Sequence, residues 1–166
     1  MESKLAQDVE KIDKILAGEL PKYEWSIDIS AEAIKNGGYF STGRSFIKAI
    51  LCLFAMQKPK SFKSNLDVRI DNKWLKVSLS KNYHRFFPKA FMKKYHPNLE
   101  AAYYNHIVNI TIVEDELNKK DIKAKAPSVY IKTFMEKNLK LPDTLRTHLI
   151  GPIDEFGITA NDYEIF

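Results

Sequence analysis

The chain has little of what several common protein classes require. Its 166 residues hold one cysteine, so no disulfide scaffold can form. That residue, Cys52, lies in the apolar run Ala49 to Met56, where a thiol packs as a small hydrophobe, so a buried Cys52 in a reducing compartment is expected. No apolar run approaches the ~20 residues of a membrane span. The first residues mix acids and bases instead of forming a signal peptide, and the expectation is a cytoplasmic protein. There is no GxxxxGK(S/T) phosphate loop, no internal repeat and no low-complexity segment. His96, His106 and His148, taken together with Cys52, lack the spacing of a zinc site.

Acidic residues are missing from long stretches. Net charge is only +5, which by itself proves no nucleic-acid partner. Its distribution says more: Ala33 to Leu66 carries six basic side chains and no acid, whereas Gly151 to Phe166 carries four acids and no base. The basic part can track phosphates.

What is present has the length of one domain, or of one domain with a helical extension. Leu5, Val9, Ile12 and Leu16 recur at helical spacing up to Gly18, which predicts an amphipathic helix with one buried stripe. Ser30 can cap a short helix ended by Gly37 and Gly38. Ser41 or Thr42 then caps a longer helix, Arg44 to Met56, apolar nearly all round and expected at the centre of the domain, with Lys58-Pro59 as its stop. Asp67 to Leu79 alternates loosely around Asp71-Asn72, as a strand pair would. Pro88 and Pro97 open helices reaching Lys94 and Val108, and Ile110 to Val113 reads as a strand. Glu114, Asp115 and Glu116 begin the next helix and Lys119, Lys120 and Lys123 follow, the order a helix dipole prefers. Helices over about Pro127 to Lys137 and Pro142 to Leu149 complete a mainly α, α+β architecture. Asn161-Asp162-Tyr163-Glu164 has the pattern of a capped helix start, which implies an acidic segment, 151–166, cut from something longer.

The informative block is Lys81 to Tyr130. Its first part, KNYHRFFPKAFMKK, carries five basic residues and no acid before Glu100. Tyr83, Phe86, Phe87 and Phe91 can bury themselves, but His84, Arg85 and the lysines need another purpose. The order aromatic, His, basic residue, two Phe and Pro, followed by Asn-Ile-Thr-Ile-Val and Leu-Asn-Lys-Lys, resembles the HNH (ββα-metal) nuclease domain at the C-terminus of GmrSD-type modification-dependent restriction enzymes, which serve phage defence. The likeness covers roughly residues 30 to 150 and implies a helical domain enclosing a small ββα unit, over residues 81–150, with residues 1–80 as a helical N-terminal part.

The resemblance implies hydrolysis of DNA phosphodiesters with a divalent metal, Mg²⁺ or Mn²⁺, and an upstream nucleotide-hydrolysing domain in the same longer protein. In such a site an imidazole near the end of the first strand is the general base, and the residue before it is a metal ligand. An Asn or His on the following helix is the second protein ligand, and a loop Asn steadies the base. His84 and Asn118 match the ligand positions and Asn109 the loop Asn. Arg85, three residues before Pro88, stands where the catalytic imidazole belongs. A guanidinium keeps its proton at ordinary pH and offers only donors, so it cannot take a proton from water. His84 is no substitute, because neighbouring residues on a strand face opposite ways. Lys81, Lys89, Lys119, Lys120, Lys123 and Lys125 are the implied DNA contacts.

Each of these residues also has a plainer reading. His84 alone would be a structural histidine, Asn118 a helix-surface residue, Asn109 a turn residue, and the lysines a solvated face. Three functions therefore stand side by side: a metal-dependent endonuclease domain, a non-cleaving DNA-binding or interaction module of the same fold, and an unrelated helical interaction protein. Arg85 favours the second, and convergence of His84 and Asn118 would separate the first two from the third.

Overall fold

Charged residues alternating with apolar ones between Lys4 and Leu16 form helix α1 (Lys4–Leu16), and Gly18, at a φ of 78°, turns the chain out of it. The computed structural model describes residues 4–22, 28, 30–41, 43–70 and 83–166. They divide into two compact units, Met1–Lys35 and Asn36–Phe166. In the first, the stripe expected to be buried is open: Val9, Ile12 and Leu16 are all exposed. Helical periodicity specifies a face but not its cover. Helix α2 (Ala31–Gly37) begins as expected, with Ser30 Oγ accepting the Ala33 N–H at 3.2 Å.

The second unit is a mixed α+β fold, a two-stranded antiparallel sheet amid short helices. Helix α3 (Ser45–Met56) has no side-chain cap; Thr42 lies outside the described residues. Its N-cap is Arg44, whose own N–H bonds the Ser41 carbonyl at 3.1 Å. Ile47 and Leu51 are buried on one side, and the helix packs against the second strand. The opposite side, with Cys52, Leu53 and Met56, is exposed, so α3 is not the central helix and Cys52 is not a buried thiol. One covering layer needs only one face, however apolar the rest. Lys58, at φ 50°, ends the helix before Pro59. Of the expected strand pair over Asp67 to Leu79, Asp67 bridges Lys60, and residues 71–79 lie outside the described residues.

Strand β1 (Tyr83–Arg85) pairs antiparallel with β2 (Ile110–Ile112), in the register Tyr83 to Ile112, His84 to Thr111 and Arg85 to Ile110. Pro88 is the N-cap of α4 (Lys89–Tyr95). The helix expected from Pro97 to Val108 is broken up: α5 covers Ala101–Tyr104 only, and a single 3₁₀ turn, Ile107–Asn109, leads into β2. Tertiary bonds compete with the helix there, since the Ile107 N–H goes to the Gly38 carbonyl at 2.7 Å and His106 bridges Tyr39. After β2 come a π-helical turn, Leu117–Ile122, then α6 (Pro127–Met135) and α7 (Leu141–Arg146).

One apolar core holds the unit together. Phe62, Phe86, Phe87, Met92, Leu117, Ile122, Tyr130, Phe134, Leu141 and Leu145 are members, and the Tyr130 hydroxyl donates to the Phe86 carbonyl at 2.5 Å. Residues 151–166 run as turns, with no helix at Asn161. Asn161 clamps the start of α6 instead, its Oδ1 accepting from the Ser128 N–H and its Nδ2 donating to Ser128 Oγ, both at 2.9 Å. Phe166 stacks on Phe86 with ring centroids 4.8 Å apart, so the acidic segment docks through its aromatics.

Candidate functional site

The register sets the site. His84 stands directly across from Thr111, so both side chains project from the same side of the pair. The next two residues leave β2, and Glu114 accepts the Asn118 N–H at 3.1 Å to open the following helical turn. That turn is π-helical: the Lys123 N–H reaches back five residues to the Asn118 carbonyl at 2.9 Å. Such turns insert one extra residue and re-aim the side chains around it. Asn118 lies on this turn, and its side chain is near enough to the His84 imidazole to act on it.

His84 is 3% exposed. Burial holds its pKa down at about 3; the Asn118 side chain works in the opposite direction, and the charges of Arg85 and His148 push further down. The ring is therefore neutral at pH 7, the form in which imidazole ligates metals. Its Nε2 has no partner in hydrogen-bonding geometry, even with Asn118 close by. Thr111 Oγ1 and Glu114 Oε2 are likewise buried without partners. Three orphaned polar atoms thus fall on the segments that frame His84 and Asn118, where buried polar atoms are ordinarily satisfied. Sequence reasoning missed Thr111 and read Glu114 only as a helix-dipole charge; the one polar residue inside Ile-Thr-Ile-Val was the available signal for Thr111.

These residues fit a divalent ion in part. A neutral imidazole nitrogen, a carboxamide and an unpaired carboxylate oxygen are ligand types that suit a partly hydrated ion. Among the described residues no three His, Cys, Asp or Glu side chains gather into a closed metal site.

Arg85 faces the other way along the strand. Its Nε–H donates to Asn105 Oδ1 at 3.1 Å, and an Nη2–H donates to the same oxygen. Asn105 Nδ2 in turn donates to the Phe40 carbonyl at 3.2 Å. Partial burial draws the guanidinium pKa down, opposed by Tyr104 and Tyr39. Asn105 was not singled out in the sequence, where nothing sets it apart from other loop amides.

Asn109 is fully buried and its side-chain bonds all go to backbone. Oδ1 accepts the Phe87 N–H at 2.7 Å, while Nδ2 donates to the carbonyls of Phe87 at 3.1 Å and Tyr104 at 2.9 Å. It steadies the chain just after residue 85 and does not touch that side chain. His148 bonds the Lys60 carbonyl through Nε2 at 2.7 Å, and burial lowers its pKa to about 4.

The lysines divide. Lys119 and Lys120 pair with Asp115 at 2.5 Å and Glu116 at 2.8 Å one turn back, which offsets their charge locally. Lys89, Lys123 and Lys125 are exposed without an acidic partner among the described residues, and Lys81 lies outside them. Set against protein-family models, curated proteins and solved structures, the chain matches none. No described helix is long and apolar enough to cross a membrane.

Proposed function

We propose that this chain is a ββα-metal (HNH-type) domain of a modification-dependent restriction or phage-defence protein, engaging DNA phosphodiesters, with hydrolysis withheld because Arg85 occupies the general-base position. The observation that carries the reading is the nearness of the Asn118 side chain to the buried, unpartnered His84 imidazole, two residues 34 positions apart in sequence. A β-strand, a paired β-strand and a helical turn supply them in the order the motif requires.

In this reading His84 Nε2 and the Asn118 carboxamide would hold a divalent ion, Mg²⁺ or Mn²⁺, and Glu114 Oε2 would be a further oxygen donor. The ion, when bound, offsets the negative charge that builds on the phosphate and its leaving oxygen. Asn109 keeps the Phe86-Phe87 backbone in register behind residue 85. Burial keeps His84 unprotonated, so it holds a lone pair for ligation. Lys89, Lys123 and Lys125 approach the DNA backbone as counter-charges. Arg85 accepts no proton from water at any working pH, and its tether to Asn105 fixes it as a donor. The non-cleaving, DNA-binding form of the function is thus the one the chain itself carries.

The test is a plasmid-cleavage assay with the chain and with Arg85→His, each with Mg²⁺, with Mn²⁺ and with EDTA. The expected result is an inert parent and a variant that cleaves only with metal. A folded Arg85→His chain that is inert with both metals, together with no DNA binding by the parent, overturns the reading and leaves a helical interaction protein.

A further inference from the structure

The half-buried charge on Arg85 has no counter-charge among the described residues. Among the described residues no carboxylate bonds it; its one hydrogen-bonding partner is the neutral oxygen of Asn105, which takes the Nε–H and one Nη2–H. Three donors remain, two on Nη1 and one on Nη2, and Nη1 is not among the buried unpaired atoms. A guanidinium drawn out of water and left unpaired is costly, and such groups are ordinarily matched by an anion.

A second guanidinium is tied to the same short stretch. Arg44 Nη1 donates to the Gly37 carbonyl at 2.8 Å and the Tyr39 carbonyl at 3.4 Å, while Asn105, which holds Arg85, is bonded to the next residue through Phe40 N–H and carbonyl at 2.8 Å and 3.2 Å. Arg44 is thus tied to this stretch directly at Gly37 and Tyr39, and Arg85 through Asn105 at Phe40. Neither has an ion pair among the described residues, and the sequence holds no acid from Ala33 to Leu66 or from Lys81 to Leu99. The Asn105 amide oxygen at Arg85 and backbone carbonyls at Arg44 orient these groups without neutralising them.

We propose that Arg85 and Arg44 form a receptor for a phosphate oxyanion, of the kind a nucleic-acid backbone presents. The planar fork of arginine matches two phosphate oxygens at once, and Asn105 sets the plane of the Arg85 fork. The residue that removes the base thereby supplies an anchor. The choice of a backbone diester over free phosphate rests on the DNA-engaging reading above, whereas the receptor itself does not.

The experiment measures binding of inorganic phosphate by NMR of the arginine Nε–H signals, and of a labelled DNA duplex by fluorescence anisotropy over a salt series. The proteins are the parent, Arg85→Gln, Arg85→Lys, Arg44→Gln and Asn105→Ala, each checked for folding by thermal melting. Arg85→Gln and Arg44→Gln should each weaken duplex binding ~10-fold and lower the salt slope by about 1, the signature of one lost phosphate contact. Arg85→Lys, which keeps the charge and loses the fork, should recover only part of the loss. Asn105→Ala should weaken binding without altering the salt slope, as a positioning residue does. Arg44 is exposed, so its variant keeps the test readable if Arg85→Gln unfolds. Phosphate binding that depends on both arginines, with no duplex binding, supports the receptor and removes the DNA reading. Folded Arg85→Gln and Arg44→Gln proteins that bind phosphate and duplex as the parent does overturn the receptor, while the cleavage assay with Arg85→His still decides the DNA reading.

Discussion

Asn109 grips Phe87 by both of its backbone groups, accepting its N–H at 2.7 Å and donating to its carbonyl at 3.1 Å. The same amide reaches the Tyr104 carbonyl, so one buried side chain joins the segment after β1, the end of α5 and the turn before β2. Asn109→Ala removes three hydrogen bonds and leaves buried groups without partners, each worth ~1 to 3 kcal/mol. A loss of about 3 kcal/mol or more is expected in urea denaturation, and a loss below about 1 kcal/mol would show that water replaces the amide.

Cleavage by the Arg85→His chain should depend on Asn118. A positioned base contributes ~10²- to 10⁴-fold in rate, so restoring an imidazole should raise metal-dependent nicking well above background. Adding Asn118→Ala should return it to background by removing a ligand. Undiminished nicking in the double variant would show that Asn118 holds no ion.

His84 and His148 make stability fall with acid. Both have folded pKa values, about 3 and about 4, below the ordinary value of 6.5, so the unfolded chain binds more protons in that interval. Stability must then rise with pH between the folded and unfolded values, and is lost as pH drops from about 6.5, at up to ~1.4 kcal/mol per pH unit for each histidine. Denaturant midpoints at pH 7, 5.5 and 4.5 should decline in that order, and His84→Gln should flatten the decline. Equal midpoints for the parent at all three values would contradict the burial of both rings.

Cys52, on the open side of α3, should react with a thiol reagent in the native protein. One equivalent of thiol is expected to titrate before denaturant is added. A thiol that reacts only after unfolding would return Cys52 to the core.

Short-range signals carried far in this sequence. Pro88 opens α4, β-branched Ile110 to Ile112 forms β2, Gly18 releases α1, and Asn118 falls on the helical turn after the strand. Each depends on a cap, a fixed φ or side-chain branching, properties of a few adjacent residues. The candidate pair His84 and Asn118 was singled out through the family resemblance and not through these local signals.

The chain by itself determined which residues form turns, strands and helical faces. Only the tertiary structure decided which faces are covered: α1 and one side of α3 stay open, while the acidic end docks through Phe166. It also decided that Asn105 takes Arg85, that the turn bearing Asn118 is π-helical, and that His84, Thr111 and Glu114 carry unpaired atoms together. Covering a face or satisfying a buried donor depends on segments far away in sequence, and periodicity holds no record of which segment arrives.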